Sequence, residues 1–545
     1  MLALAWHTAA ADLILHNGRI WTADPARGWA DALAITGSRI TAVGGEREVA
    51  AWRRPATRLI DLKGRLAVPG FNDAHIHFLS GSLGLFEVDL TGACTLDQMQ
   101  QRVRDYAGKN PGDGWITGSG WEYFCFPGHR LPHKQDLDAI LADRPVFLRA
   151  YDGHTGWANS KALRIAEITR ATRFEGFGEI VRDPSSGEPT GCLKEGAQRL
   201  VSRHIPQPDR ARKLAALEKG MKLAASLGIT SIQNASGDPD TLSLYDQLLR
   251  EKKLTLRVSM AFSAGRPLTE ARLGELRKLQ ALHNGPLLRA GAVKFMVDGV
   301  IESHTAAMLA PYSDDSSTAG SPAWPAAELN DAVARSDAAG LQVYIHAIGD
   351  RGVRMALDAF EHARRTNGPR DARFRIEHIE TIAAGDLPRF ASLGVMASME
   401  PIHADPATVE LWSRAVGPAR LPLSFPWGSL ERAGARLVFS SDWPASISVD
   451  PIRGIHNAVN RRTVDGRPPG GWLPAQRVSL ETALGAYTLA GAWASFEESR
   501  KGSLRPGRLA DVVVLSQDLF RVDPMTIHQT RVVLTVFAGR VVYQP

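Results

Sequence analysis

The sequence predicts an α/β protein: a (β/α)8 TIM barrel with a discontinuous β-sandwich domain from both termini and an insertion after barrel strand 1. Three observations carry this reading. Eight apolar, β-rich runs alternate with amphipathic stretches, and eight parallel strands is the number that closes such a barrel. The two ends of the chain share a different pattern, short alternating segments around glycine turns. A long stretch rich in Gly, Trp and Pro separates the first barrel run from the second, too far for one crossover helix.

Taken in order, residues 11–66 and 501–545 supply the expected sandwich. LILHNGRIWTA turns at Asn17-Gly18, a hairpin dipeptide, and the pattern recurs at Gly37, at Gly64 and at Ala538-Gly539. Residues 67–500 form the barrel, with 89–200 as the insertion over its mouth. The barrel runs are 66–77, 229–234, 256–262, 292–297, 341–347, 373–379, 394–401 and 436–442. Helical patterns such as DRGVRMALDAFEHARR (350–365) lie between them.

Composition excludes several classes. A net charge of +6 over 545 residues, without a block of basic residues, gives no footprint for nucleic acid. Three cysteines, Cys94, Cys125 and Cys192, are too few for a disulfide framework and fit a reducing compartment. The N-terminal MLALAWHTAAADLILHNGR has no basic residue before Arg19, which argues against a secretory signal. No run of 18 apolar residues exists, so no membrane span is expected. The expectation is a cytoplasmic protein acting on a small molecule, with no nucleic-acid or membrane partner; a homodimer is compatible with it.

The chemistry sits at the ends of the apolar runs. His75 and His77 are two apart in a strand, so their imidazoles point to one side and can share a cation. His346 and His378 each close another run, and strand C-terminal ends meet at one face of a barrel. Either alone reads more readily as a core or surface histidine; their shared position is the argument. Asp442 ends the last run, where a carboxylate can bind metal and accept a proton from water, although a helix N-cap is the plain alternative. Lys294 lies inside AVKFMV, a costly place for a charge unless it is neutralised or paired, for instance with Asp298 or Glu302. An ammonium cannot ligate, but its carbamate with CO₂ has oxygen donors for two cations.

These residues lie in PGFNDAHIH (69–77), VKFMVDG (293–299), IHAIGDRG (345–352), IEHIE (376–380) and FSSDWP (439–444), with KGSLRPGRLADVVVL (501–515) following. Together they resemble the amidohydrolase superfamily, in its family 3 branch, which includes N-substituted formamide deformylases. The resemblance implies two divalent ions, Zn²⁺ by expectation. It places His75, His77 and Asp442 on one ion and His346 and His378 on the other. N6-carboxylated Lys294 bridges them, making Lys294 and Asp442 the catalytic pair. It implies hydrolysis of a non-peptide, amide-type C–N bond by metal-bound hydroxide, with Asp442 as proton shuttle. The branch usually has Gln where Glu400 stands and Arg where His304 stands, which leaves the substrate open.

Trp121, His154, His304, Glu400, His403 and Trp443 are the candidate substrate-binding residues. The aromatic residues of the insertion suggest an apolar or aromatic N-acyl or N-formyl substrate, unless they only pack the insertion. The alternative is a mononuclear deaminase or a hydrolase of cyclic amides, ureides or carbamates on the same barrel. A deaminase wants Glu soon after the fifth-strand His, where this chain has Asp350.

Overall fold

The computed structural model describes residues 10–126, 128 and 130–545, so residues 1–9 of the N-terminal stretch read above lie outside the described residues. Eight parallel strands in consecutive order form one sheet: β1 (Phe71–Ile76), β2 (Ile229–Gly237), β3 (Arg257–Ser263), β4 (Leu288–Met296), β5 (Gln342–Ala347), β6 (Arg375–His378), β7 (Met396–Met399) and β8 (Arg436–Phe439). The sheet curls until its first and last strands meet. The Asp442 amide donates to the His75 carbonyl (2.8 Å) and the His77 amide to the Trp443 carbonyl (2.9 Å), so the seam is joined just beyond β8, at the C-terminal rim.

Outside the sheet, helices such as Arg210–Ser226, Pro239–Arg250 and Asp350–Asn367 bury apolar stripes against it. Leu217, Leu248, Leu357 and Phe360 belong to the same large apolar core as Val258, Val343 and Ile376. Inside the barrel the alternate positions face inward. Ala261, Ala292 and Tyr344 form a small apolar floor, and buried polar residues, Gln233, Arg375 and Glu377, occupy the interior with them.

The chain ends form two further sheets, the first from N-terminal strands and the second from strands of both ends. One holds strands Arg39–Gly44, Ala32–Thr36, Leu13–His16 and Arg58–Asp61. The other runs through Arg540–Tyr543, Val532–Phe537, Val512–Leu515, Leu66–Pro69, Arg19–Trp21 and Trp29–Ala30. Leu15, Leu33, Ile35, Val512, Val514 and Val536 share the core between them. The region after β1 carries a six-stranded sheet from Val88–Asp89 to Pro189–Glu195. Among the described residues no helix is long and apolar enough to cross a membrane. The three thiols are unpaired, with Cys94 exposed and Cys125 and Cys192 buried.

Two expectations need correcting. Gly37 and Ala538-Gly539 do turn between paired antiparallel strands. Asn17-Gly18 and Lys63-Gly64 instead carry the chain from one sandwich sheet to the other. A turn dipeptide specifies positive φ, here 53° at Asn17, but not which strands pair across it.

The run 66–77 is also two strands rather than one. Leu66–Pro69 pairs antiparallel with Val512–Leu515, and Phe71–Ile76 enters the barrel beside β2. Gly70 is the joint: a Cβ there would lie 2.2 Å from the Thr230 hydroxyl oxygen and 2.6 Å from its methyl. We predict that Gly70→Ala destabilises the protein by about 1–3 kcal/mol through overpacking against this buried, β-branched side chain. The check is a lowered urea midpoint at unchanged slope; an unchanged midpoint contradicts the assignment.

Candidate active site

At the seam, His75 on β1 and His77 just beyond its end stand side by side, and Asp442 arrives from the turn after β8. Asp442 Oδ1 lies 3.4 Å from His75 Nε2 and 3.2 Å from His77 Nε2. Donor atoms of His75, His378 and Asp442 all fall within 4.8 Å of one another. The His378 ring centroid is 4.9 Å from that of His75 and 4.5 Å from that of His346. Lys294 on β4 reaches the same point, its Nζ 3.2 Å from His75 Nε2. Thus His75, His77, Lys294, His346, His378 and Asp442 converge at one rim.

Local backbone geometry contributes to this convergence. On β6, Arg375 and Glu377 face the barrel interior and Ile376 the helices, so plain alternation would send His378 outward. His378 adopts φ 76° and Ile379 φ 51°, and Asp442 adopts φ 56°. Such conformations cost non-glycine residues about 1–3 kcal/mol each and persist where surrounding structure holds them.

Hydrogen bonds orient each imidazole. His75 Nδ1 donates to Glu377 Oε2 (2.6 Å) and His378 Nδ1 to Glu400 Oε2 (2.9 Å), leaving both Nε2 lone pairs for a ligand. Glu400 also accepts from the Ser440 hydroxyl at 2.9 Å. His346 Nε2 donates to the Gly299 carbonyl (3.3 Å), which leaves Nδ1 as its acceptor. His77 Nδ1 lies 3.1 Å from the Ser236 hydroxyl.

Charge follows from burial and neighbours. Burial, with help from Lys294, pushes His75 down to about 4, and burial and His378 hold His346 well below the usual histidine range. Both are neutral imidazoles at pH 7, the form that ligates. Burial also lowers the Lys294 ammonium, towards the neutral amine that can react with CO₂. Its possible salt-bridge partners are engaged elsewhere. Asp298 accepts from the amides of Ile348, Gly349 and Ala307 at 2.9–3.0 Å, and Glu302 accepts from the Tyr151 hydroxyl at 3.0 Å.

Burial would raise the Asp442 carboxyl, but His75, His77 and His378 hold it well below the carboxylate range. Its Oδ1 is buried without a hydrogen-bond partner, a costly arrangement that a cation would relieve. The donor set, imidazole nitrogens and carboxylate oxygens, suits a zinc-type divalent ion.

A narrow cleft, about 400 Å³ of space continuous with solvent, opens onto these groups. His154 from the insertion and His403 after β7 both line it, with Tyr151, Asp152, Glu302 and Glu380. His154 Nδ1 pairs with Glu195 at 2.8 Å, and His403 Nε2 lies 3.0 Å from the Ala445 carbonyl and 3.9 Å from Asp442 Oδ2.

The other four candidate substrate residues do not line this cleft. Trp121 is fully buried in the insertion's own core, its indole N–H donating to the Leu148 carbonyl at 3.2 Å. Tyr123, Phe126 and Trp157 pack around it there. His304 turns to Asp314 at 2.9 Å. Trp443 packs against Gly81, leaving no room for a Cβ. Glu400 stands behind His378 rather than at the mouth. Asp350 accepts from the Leu309 amide at 2.7 Å.

Sequence reading passed over Tyr151, Asp152, Glu302 and Glu380 as cleft residues. Glu380 could have been found, since it follows His378 by two in IEHIE.

A family model described as the amidohydrolase family matches residues 58–543. Among curated proteins, Protein LONG AFTER FAR-RED 3 of Arabidopsis thaliana is 35% identical over 522 residues, spanning 93% of this chain and 87% of that protein. An N-substituted formamide deformylase of Arthrobacter pascens is 28% identical over 525 residues, spanning 94% of each. Among solved structures, an uncharacterized metal-dependent hydrolase from Pyrococcus horikoshii OT3 aligns with a TM-score of 0.74 at 27% identity, covering 94% of this chain and 99% of that one.

The convergence at the rim predicts that metal content depends on residues far apart in sequence. After zinc reconstitution and desalting, His75→Ala and His378→Ala should each retain well under half the zinc of the unaltered protein, measured by atomic emission. Equal retention would remove both residues from the donor set.

Proposed function

Because this chain belongs to the amidohydrolase family and is a hydrolase of carbon–nitrogen bonds, we propose that it cleaves a non-peptide C–N bond in a small polar N-acyl or N-formyl compound. In this reading two divalent ions, Zn²⁺ by preference, are held by His75, His77, His346, His378, Asp442 and N6-carboxylated Lys294. The observation that carries it is the buried, unpartnered Oδ1 of Asp442 set against two imidazole nitrogens at 3.2 and 3.4 Å.

When bound, such ions polarise the substrate carbonyl and bring the pKa of water from 15.7 to about 7. The chain's own residues supply the rest. Asp442 has one oxygen towards His75 and His77 and the other towards His378 and His403, at 4.0 and 3.9 Å. It is placed to accept the proton that the attacking water loses and to return it to the departing nitrogen. Glu377 and Glu400 keep the Nδ1 protons of His75 and His378 in place. The insertion supplies one wall through Tyr151, Asp152 and His154, which limits how much bulk water reaches the reacting bond.

The cleft's lining supports a small polar substrate. Its apolar members are Val300, Ile348 and Ala445, and the remaining walls are carboxylates, imidazoles and a phenol. Trp121, Tyr123, Phe126 and Trp157 of the insertion face one another in its core while Tyr151 reaches the cleft, so the tryptophans give no support for an aromatic substituent. The relative named a formamide deformylase favours a formyl or other small acyl group on nitrogen. The compactness of the His75, His378 and Asp442 set would also serve a single ion, as in the mononuclear reading. Metal content separates the two: about two zinc per chain is expected, and about one favours the alternative.

The test is a screen of N-formyl, N-acyl, carbamate and lactam compounds with zinc-loaded protein, read as amine release. Turnover should be lost on chelation and return with zinc. Asp442→Asn should lower kcat by about 10²–10⁴-fold, the usual contribution of a general acid–base, with the fold intact by circular dichroism. A variant within threefold of the unaltered enzyme would exclude Asp442 as the proton carrier.

A further inference from the structure

The barrel interior beneath the rim holds an ion pair where barrels ordinarily stack branched apolar side chains. Arg375 and Glu377, two apart on β6, are both fully buried. Arg375 Nε donates to Glu377 Oε1 at 2.5 Å and a terminal nitrogen to Oε2 at 2.8 Å. The guanidinium lies 3.9 Å above the Tyr344 ring. It also donates to Gln233 Oε1 (2.6 Å), the Ala74 carbonyl (2.6 Å) and the Ser398 hydroxyl (3.1 Å). Strands β1, β2, β5, β6 and β7 thus meet at one side chain.

Such a pair is an expensive way to fill a barrel. Desolvating two charges costs several kcal/mol per ion, and well-packed apolar residues usually do as well or better for stability. The stability of the fold therefore does not account for it. What the pair does touch is His75. Glu377 Oε2 accepts a hydrogen bond from His75 Nδ1 at 2.6 Å, and His75 Nε2 then faces Lys294 Nζ at 3.2 Å and Asp442 Oδ1 at 3.4 Å.

Glu377 is not itself placed to ligate. One of its oxygens is occupied by Arg375, and the other by His75 and Arg375 together.

We propose that Arg375 and Glu377 are positioning residues for the metal centre: Arg375 holds Glu377 in place, and Glu377 locks His75 with its Nε2 lone pair on the cation site. This rests on the reading of His75 as a metal ligand given above. The role predicts that the pair governs metal affinity separately from fold stability. Loss of a partner behind a ligating histidine typically weakens metal binding by about 10–100-fold.

The experiment measures zinc affinity by chelator competition and, in parallel, melting of the metal-free protein. Glu377→Gln should weaken zinc binding by about 10–100-fold and also melt lower, since Arg375 loses its counter-charge. The deciding variant is the double Arg375→Met/Glu377→Leu, which removes both charges at once. It should recover much of the lost melting temperature while its zinc affinity stays at least about 10-fold weak. If zinc affinity recovers together with stability, the pair is only structural and the proposal fails. If the unaltered protein binds no zinc, the metal centre itself fails, a result distinct from equal binding by the unaltered and double-variant proteins.

Discussion

Two backbone hydrogen bonds, from the Asp442 amide to the His75 carbonyl and from the His77 amide to the Trp443 carbonyl, are the contacts on which the site depends. They join the last barrel strand to the first at the rim. Ser441 reinforces the seam from 368 positions away, giving its amide and hydroxyl to the Asp73 carboxylate at 3.0 and 2.6 Å. Burial pushes the Asp73 carboxyl up to about 7, and the two Ser441 bonds work against that rise. Once the seam is shut, a carboxylate from one end of the barrel sequence stands against two histidines from the other. The remaining ligand candidates need only end their own strands at the same level.

The site then sorts into layers with different electrostatic tasks. Deepest is the Arg375–Glu377 pair, sealed from water. Above it, His75, Lys294 and His346 are driven by burial towards neutral forms that can give or acquire lone pairs. At the surface of the cleft the balance reverses. Burial disfavours the charge on His154 and His403, yet Glu195 beside the first and Glu380 beside the second push both up to about 9. Burial, with Glu380 and Asp152 nearby, raises Glu302 to about 8. A polar molecule entering the cleft thus meets groups whose protonation is set by their immediate partners rather than by bulk solvent.

What could be read from the sequence was whatever local pattern determines. His75 and His77 were legible because strand alternation places them together, and His346, His378 and Lys294 because each interrupts an apolar run. Other features depended on long-range packing. Trp121 and Trp157 lie in a segment whose composition cannot say which face a ring takes, and they turned inward onto Phe126. His304 has φ 58° and points to Asp314, a choice invisible in HT after DG. Gly70 separates two strands that hydropathy joins into one, because Val68 and Phe71 are equally apolar. The Arg375–Glu377 pair did leave a trace: two opposite charges two apart within an apolar run place both on one face of a buried strand.

The central claim, that these scattered side chains form one divalent-metal centre, is tested most directly by X-ray absorption on the zinc-loaded protein. The account predicts a first shell of nitrogen and oxygen only, at about 2.0–2.2 Å, with the outer scattering of imidazole. A zinc–zinc vector at about 3.5–4 Å is expected with two ions bound. A sulfur shell near about 2.3 Å, or a spectrum without imidazole scattering, would place the zinc elsewhere and contradict it.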